Sequence, residues 1–138
     1  MNNNPRLLFL ALSCCWFLCT TAFSRSYDDI IENNEIVIAV YSDYKPFSYV
    51  DNGEGKGIDV DLAHAIAKKL GVKLRLRWMT ADESSDDDLR NHIWKGHFLN
   101  RTVADLMLRV PYDRDYSLLR DDIGELAHQH VHMFAPFH

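Results

Sequence analysis

The sequence predicts an open, mainly parallel α/β sheet with flanking helices, and three observations carry that expectation. Residues 36–41, IVIAVY, are a continuous β-branched apolar run, as in a strand buried on both faces of a parallel sheet. Residues 57–71, GIDVDLAHAIAKKLG, read as one amphipathic helix with its own start and stop. Residues 73–79, KLRLRWM, follow at once as a second strand, so the smallest consistent unit is strand, crossover helix, parallel strand.

Composition narrows the class. At 138 residues the chain has a one-domain length, and 47% hydrophobic with 25% charged residues is ordinary for a globular protein. A net charge of -5 argues against nucleic acid, because Arg75, Arg77, Arg90, Arg101, Arg109, Arg114 and Arg120 are each diluted by nearby acids.

Residues 1–24 read as a secretory signal. Arg6 precedes an apolar run over 7–18, and Thr21, Ala22, Phe23 and Ser24 offer small residues for cleavage. The run falls short of the roughly 20 residues that a membrane span needs, so no span is expected in the mature chain. Cys14, Cys15 and Cys19 all lie inside this segment. Its removal leaves no disulfide, no thiolate nucleophile and no thiolate metal site.

Taken in order, residues 26–35 are a polar lead-in, irregular or with a short helix around 27–31, and 36–41 form the first strand. The loop after Tyr41 packs Tyr44, Phe47 and Tyr49 around Pro46, giving flat faces and hydroxyls, although Phe47 equally suits a core cover. Residues 51–56 are a turn between two short extended pieces, and Gly53 and Gly55 stand where a calcium loop would bring oxygen ligands.

In the helix, Asp59 is placed to cap the first turn and Asp61 to add charge at the positive end of the dipole. Leu62, Ala63, Ile66, Ala67 and Leu70 gather on the buried face. Lys68 and Lys69 suit the last turn, and Gly71 supplies the left-handed stop. The second strand alternates, with Leu74, Leu76 and Trp78 on one side and Lys73, Arg75 and Arg77 on a wet or polar-covered side. Ser84 or Ser85 before Asp86, Asp87 and Asp88 starts a further helix that buries Leu89 and Ile93 and stops at Gly96, its acids forming a solvated end. Residues 103–110, VADLMLRV, form the third strand.

In such sheets ligands sit beyond the carboxyl ends of the strands. The first strand ends into Ser42, Asp43 and Tyr44, and the third into Arg109, Tyr112, Asp113 and Arg114. Aromatic walls between an acid and a guanidinium suit a small zwitterion or carboxylate, which arginine holds by two parallel hydrogen bonds. His128, His130 and His132 alternate as they would on one side of a strand, where adjacent imidazoles chelate metals. Three residues along one strand rarely close a tetrahedron, so a wet strand face is expected and no metal or cofactor is assigned. His64, His92 and His97 read as surface or packing residues. No G-x-S-x-G, phosphate loop, zinc-protease helix or acid–base pair is present, so no enzyme is expected.

Gly57, Ile58, Asp59, Val60, Asp61 and Leu62 reproduce a glycine, apolar, acid, apolar, acid pattern before an amphipathic helix. The chain thereby resembles the family 3 periplasmic solute-binding proteins, the amino-acid receptors of ABC importers. The resemblance implies one lobe of a type II periplasmic-binding-protein fold: residues 25–138 would be the N-terminal lobe, truncated before the second. It implies that Asp43, Tyr44, Phe47 and Tyr49 stack the ligand and hold its amine, and that Arg114 holds its carboxylate, with Arg109 and Tyr112 beside it. The serines or threonines that the family places before that arginine are here replaced by residues 108–112, LRVPY.

Residues 94–97, 104–108, 110–111 and 134–137 are similar to a branch of that family associated with quinoprotein (methanol) dehydrogenases. Two roles in the periplasm are therefore implied: capture of a small polar ligand for an ABC permease, or assistance to a quinoprotein dehydrogenase. A third follows from the recruitment of this fold as a dehydratase.

Overall fold

Helix α1, Tyr27–Glu32, opens the ordered description in this computed structural model, which covers residues 25–99, 101–111 and 113–134. The expected signal segment, Tyr112 and the end of the chain from residue 135 lie outside the described residues. Ser26 caps α1: its hydroxyl accepts the Asp29 N–H while the Asp29 carboxylate takes the Ser26 N–H, a reciprocal capping box.

Strand β1, Glu35–Tyr41, is the spine of the molecule. Its β-branched side chains alternate between two cores. Ile36, Ile38 and Val40 pack with Ile30 of α1 on one face, and Val37 and Ala39 line the other. Both faces are covered, which is why the sequence reads there as unbroken apolar residues.

After β1 the chain folds into a small antiparallel sheet of β2 (Asp43–Tyr44), β3 (Ser48–Asp51) and β4 (Glu54–Lys56), with Asp43 opposite Tyr49. Helix α2, Ile58–Leu70, then crosses back. Gly57 is its N-cap at φ 118°, and a Cβ there would collide with the Phe47 carbonyl oxygen. Gly71 ends it at φ 72°. Two details of the expected helix differ. Asp59 makes no cap, because its carboxylate turns inward to an ion pair. Leu62 is 46% exposed, and Val60 joins Ala63 and Ala67 on the buried face instead.

Strand β5, Lys73–Met79, pairs with β1 in parallel, from Glu35 opposite Lys73 to Tyr41 opposite Met79. Leu74, Leu76 and Trp78 pack toward α2, and the other side is polar, with Arg75 bonded to Glu35 and Arg77 to Thr102. Helix α3, Ser85–Leu89, is capped by Ser84 and continues as a π-helical turn over Arg90–Trp94. Leu89 and Ile93 bury against Val37, Ala39 and Met79 as expected. Asp88 does not belong to a solvated end: it is 2% exposed.

The third strand is much shorter than its apolar content predicts. Only β6, Leu106–Met107, pairs with β1, giving the parallel order β5-β1-β6. Asp105 opens the pairing: its carboxylate accepts the Val37 N–H at 2.7 Å and an ion pair from Arg25. Arg109 closes it, because at φ 65° it turns the chain out of the sheet. A last short helix, α4, spans Arg114–Ser117. The class is thus the expected one, α/β with a parallel sheet and helices on both faces. No helix among the described residues is long and apolar enough to cross a membrane.

Candidate functional site

A cavity of about 450 Å³ opens at the carboxyl ends of the parallel strands. Tyr41, Ser42, Asp43 and Tyr44 continue from β1 to form one wall, and Met79, Thr80, Ala81 and Ser85 come from the end of β5 and the start of α3. Arg109 and Pro111, just after β6, close the third side. This is the place that an open α/β sheet reserves for ligands, because the crossovers diverge there.

Aromatic rings continue the first wall. Tyr41 meets Tyr44 edge-on with centroids 5.8 Å apart, and Tyr44 meets Phe47 at 5.3 Å. The Arg109 guanidinium lies over the Phe47 ring, 3.8 Å from its centroid. The same guanidinium forks onto Asp59, with Nη2 to Oδ1 at 2.6 Å and Nε to Oδ2 at 3.2 Å. Asp59 is held by its own N–H, which donates to the Phe47 carbonyl at 2.8 Å.

The Tyr41 hydroxyl donates to Asp88 Oδ2 at 2.8 Å. Burial first, then the bond to the Asp88 carboxylate, pushes this phenol well above its ordinary range, so it stays a donor. Asp88 Oδ1 accepts the Asp82 N–H at 2.9 Å, which fastens the loop between β5 and α3.

Of the residues expected at a site, the structure brings together Asp43, Tyr44 and Arg109 around the cavity, with Phe47 behind Arg109. Tyr49 is opposite Asp43 in the hairpin sheet, under the Lys45 ammonium at 5.0 Å, and does not line the cavity. Arg114 is exposed at the start of α4 and is not a lining residue. Tyr112 lies outside the described residues. Tyr41, Thr80, Ala81 and Ser85 were not foreseen as lining residues. The rule that points to strand ends selects Thr80 and Ala81 as plainly as Asp43, since they follow directly on Met79.

The histidines do not form the expected row. His128, His130 and Val131 lie in turns and irregular chain, so nothing aligns the imidazoles. His128 stacks on Tyr116 at 4.3 Å, His130 on Trp94 at 4.7 Å, and His132 on Phe134 at 6.4 Å. His128 Nε2 is 3.5 Å from Asp86 Oδ1 but lacks the geometry of a hydrogen bond. Among the described residues the group able to offer metal ligands is Asp82, Asp88 and His92, with one donor atom each within 4.8 Å of the others. Both of its carboxylates already hold the loop: Asp88 as above, and Asp82, which accepts from the Asn91 amide at 2.8 Å.

Comparisons with known proteins give the following similarities. Residues 36–91, from the start of β1 into α3, match the bacterial extracellular solute-binding proteins, family 3. A cyclohexadienyl dehydratase of Pseudomonas aeruginosa is 31% identical over 123 residues, covering 83% of this chain and 46% of that protein. The arginine-binding extracellular protein ArtP of Bacillus subtilis is 33% identical over 73 residues, covering 53% of this chain and 29% of that one. Among solved structures, the arginine-bound form of domain 1 from TmArgBP is 38% identical, with a TM-score of 0.41, over 46% of this chain and 52% of that chain. The chain spans less than half the length of either of those two relatives.

Proposed function

We propose that the chain, whose residues 36–91 match the bacterial extracellular solute-binding proteins of family 3, captures a small polar, amino-acid-like solute outside the cytoplasm, for delivery to an ABC permease. The observation that carries this reading is the cavity at the strand ends, where Asp43, Tyr41 and Tyr44 face Arg109 and Pro111. A carboxylate and phenol hydroxyls on a rigid aromatic wall orient a small polar molecule, while apolar faces exclude water around it. A relative whose name gives arginine as its ligand supports the same class of solute. Isothermal titration against a panel of free amino acids tests it. Saturable heat with at least one member is expected, weakened at least about tenfold by Tyr44→Ala. No heat with any member removes the reading.

Two further roles have specific supports. Similarity to the cyclohexadienyl dehydratase favours turnover in the same cavity, tested by following loss of a cyclohexadienyl substrate; zero turnover excludes it. An accessory role beside a quinoprotein dehydrogenase in the periplasm rests on the sequence resemblance at 94–97 and 104–108 alone and is not favoured by the comparisons, and failure to co-purify with such an enzyme from envelope extracts excludes that one.

A further inference from the structure

We propose that Asp59 sets the specificity of this pocket by occupying Arg109, so that the Arg109 wall does not select for a ligand carboxylate. The proposal rests on the solute-binding reading above and narrows it.

The two parallel hydrogen bonds by which arginine recognises a carboxylate are already made inside the protein. Asp59 is 3% exposed and takes both Nε and Nη2 of Arg109. It stands in the first turn of α2, at the positive end of the helix dipole, and its N–H is pinned to the Phe47 carbonyl. Phe47 covers one face of the guanidinium at 3.8 Å. A ligand carboxylate arriving from water would have to displace an internal one that loses no translational freedom on pairing.

The charge balance of the cavity follows. Arg109 and Asp59 cancel. Asp43, on the facing wall, is exposed, and among the described residues no cation pairs with its carboxylate. The uncompensated charge at the mouth is therefore negative and sits beside the phenols of Tyr41 and Tyr44. This half of the pocket suits an ammonium or guanidinium head. The sequence expectation set Arg109 beside Arg114 as part of a wall for a ligand carboxylate, and the ion pair with Asp59 takes Arg109 out of that role.

Titration calorimetry with L-arginine and with L-argininamide, which lacks the carboxylate, tests the idea through the ratio of the two affinities. Asp59→Asn frees the Arg109 charge and is expected to raise the preference for L-arginine by about tenfold over the unsubstituted chain. An unchanged ratio overturns the proposal, because a purely structural loss would weaken both probes alike. The neutral pair Asp59→Asn with Arg109→Gln leaves no buried charge unpaired and serves if the single variant does not fold. It is expected to keep the original ratio within about threefold. A tenfold fall in that ratio would mean that Arg109 was reading the carboxylate all along, and would also overturn the proposal. Failure of both probes to bind the unsubstituted chain defeats the solute-binding reading for this class and the specificity claim with it.

Discussion

The Tyr41 hydroxyl donates to the buried Asp88 carboxylate at 2.8 Å, joining the last residue of β1 to the helix that follows β5. The bond holds two walls of the cavity in register. Tyr41→Phe removes the donor and leaves the Asp88 carboxylate, among the described residues, with the Asp82 N–H alone. We expect a loss of about 1–3 kcal/mol in unfolding free energy, read from urea denaturation, with the fold retained.

Gly57→Ala tests the approach of α2 to the Phe47 loop. A Cβ would meet the Phe47 carbonyl, and φ 118° disfavours any other residue. The expected cost is at least about 1–3 kcal/mol by chemical denaturation, and Gly71→Ala, which meets open space, should cost less.

The core makes a sharper contrast. Ile38 is fully buried between β5, β6 and the helices, so Ile38→Ala should cost about 2–5 kcal/mol. Leu62→Ala, on the exposed side of α2, should change stability by no more than about 0.5 kcal/mol. Equal effects at the two positions would contradict the packing described.

These cases show what was legible in the sequence. Periodicity identified β1, α2 and β5, because a strand buried on both faces and a helix with a glycine stop each leave a local pattern. Leu62 misled because two apolar faces of α2 read alike until the sheet selects Val60, Ala63 and Ala67. The end of β6 is set by the backbone of Arg109 at φ 65°, which residue type does not announce. The Asp59–Arg109 pair joins residues fifty positions apart, so no window along the chain contains it. For the site, the strand-end rule found Asp43, Tyr44 and Arg109 but gave no means of weighing Arg109 against its internal partner. The histidine row failed because alternation has meaning only within a strand, and no ladder forms there.

His92 supplies a pH dependence. Burial first, then the positive charge of Arg77, lowers its imidazole below the ordinary 6.5, while Asp82 and Asp88 partly oppose the shift. Below about pH 6.5 the unfolded chain therefore binds a proton that the folded chain refuses, so this contribution to stability is present at higher pH and is lost as the pH falls. Thermal unfolding from pH 7.5 downward should show a fall in melting temperature that His92→Gln makes shallower. A parallel profile for the variant would contradict the assignment.

The most direct test of the pocket is a heteronuclear NMR titration of the chain with the amino acid that gives heat in calorimetry. We predict that amide shifts concentrate at Ser42, Asp43, Tyr44, Thr80, Ala81 and Arg109, the residues lining the strand-end cavity. Saturable shifts centred on another surface, with these six amides unmoved, would contradict the account.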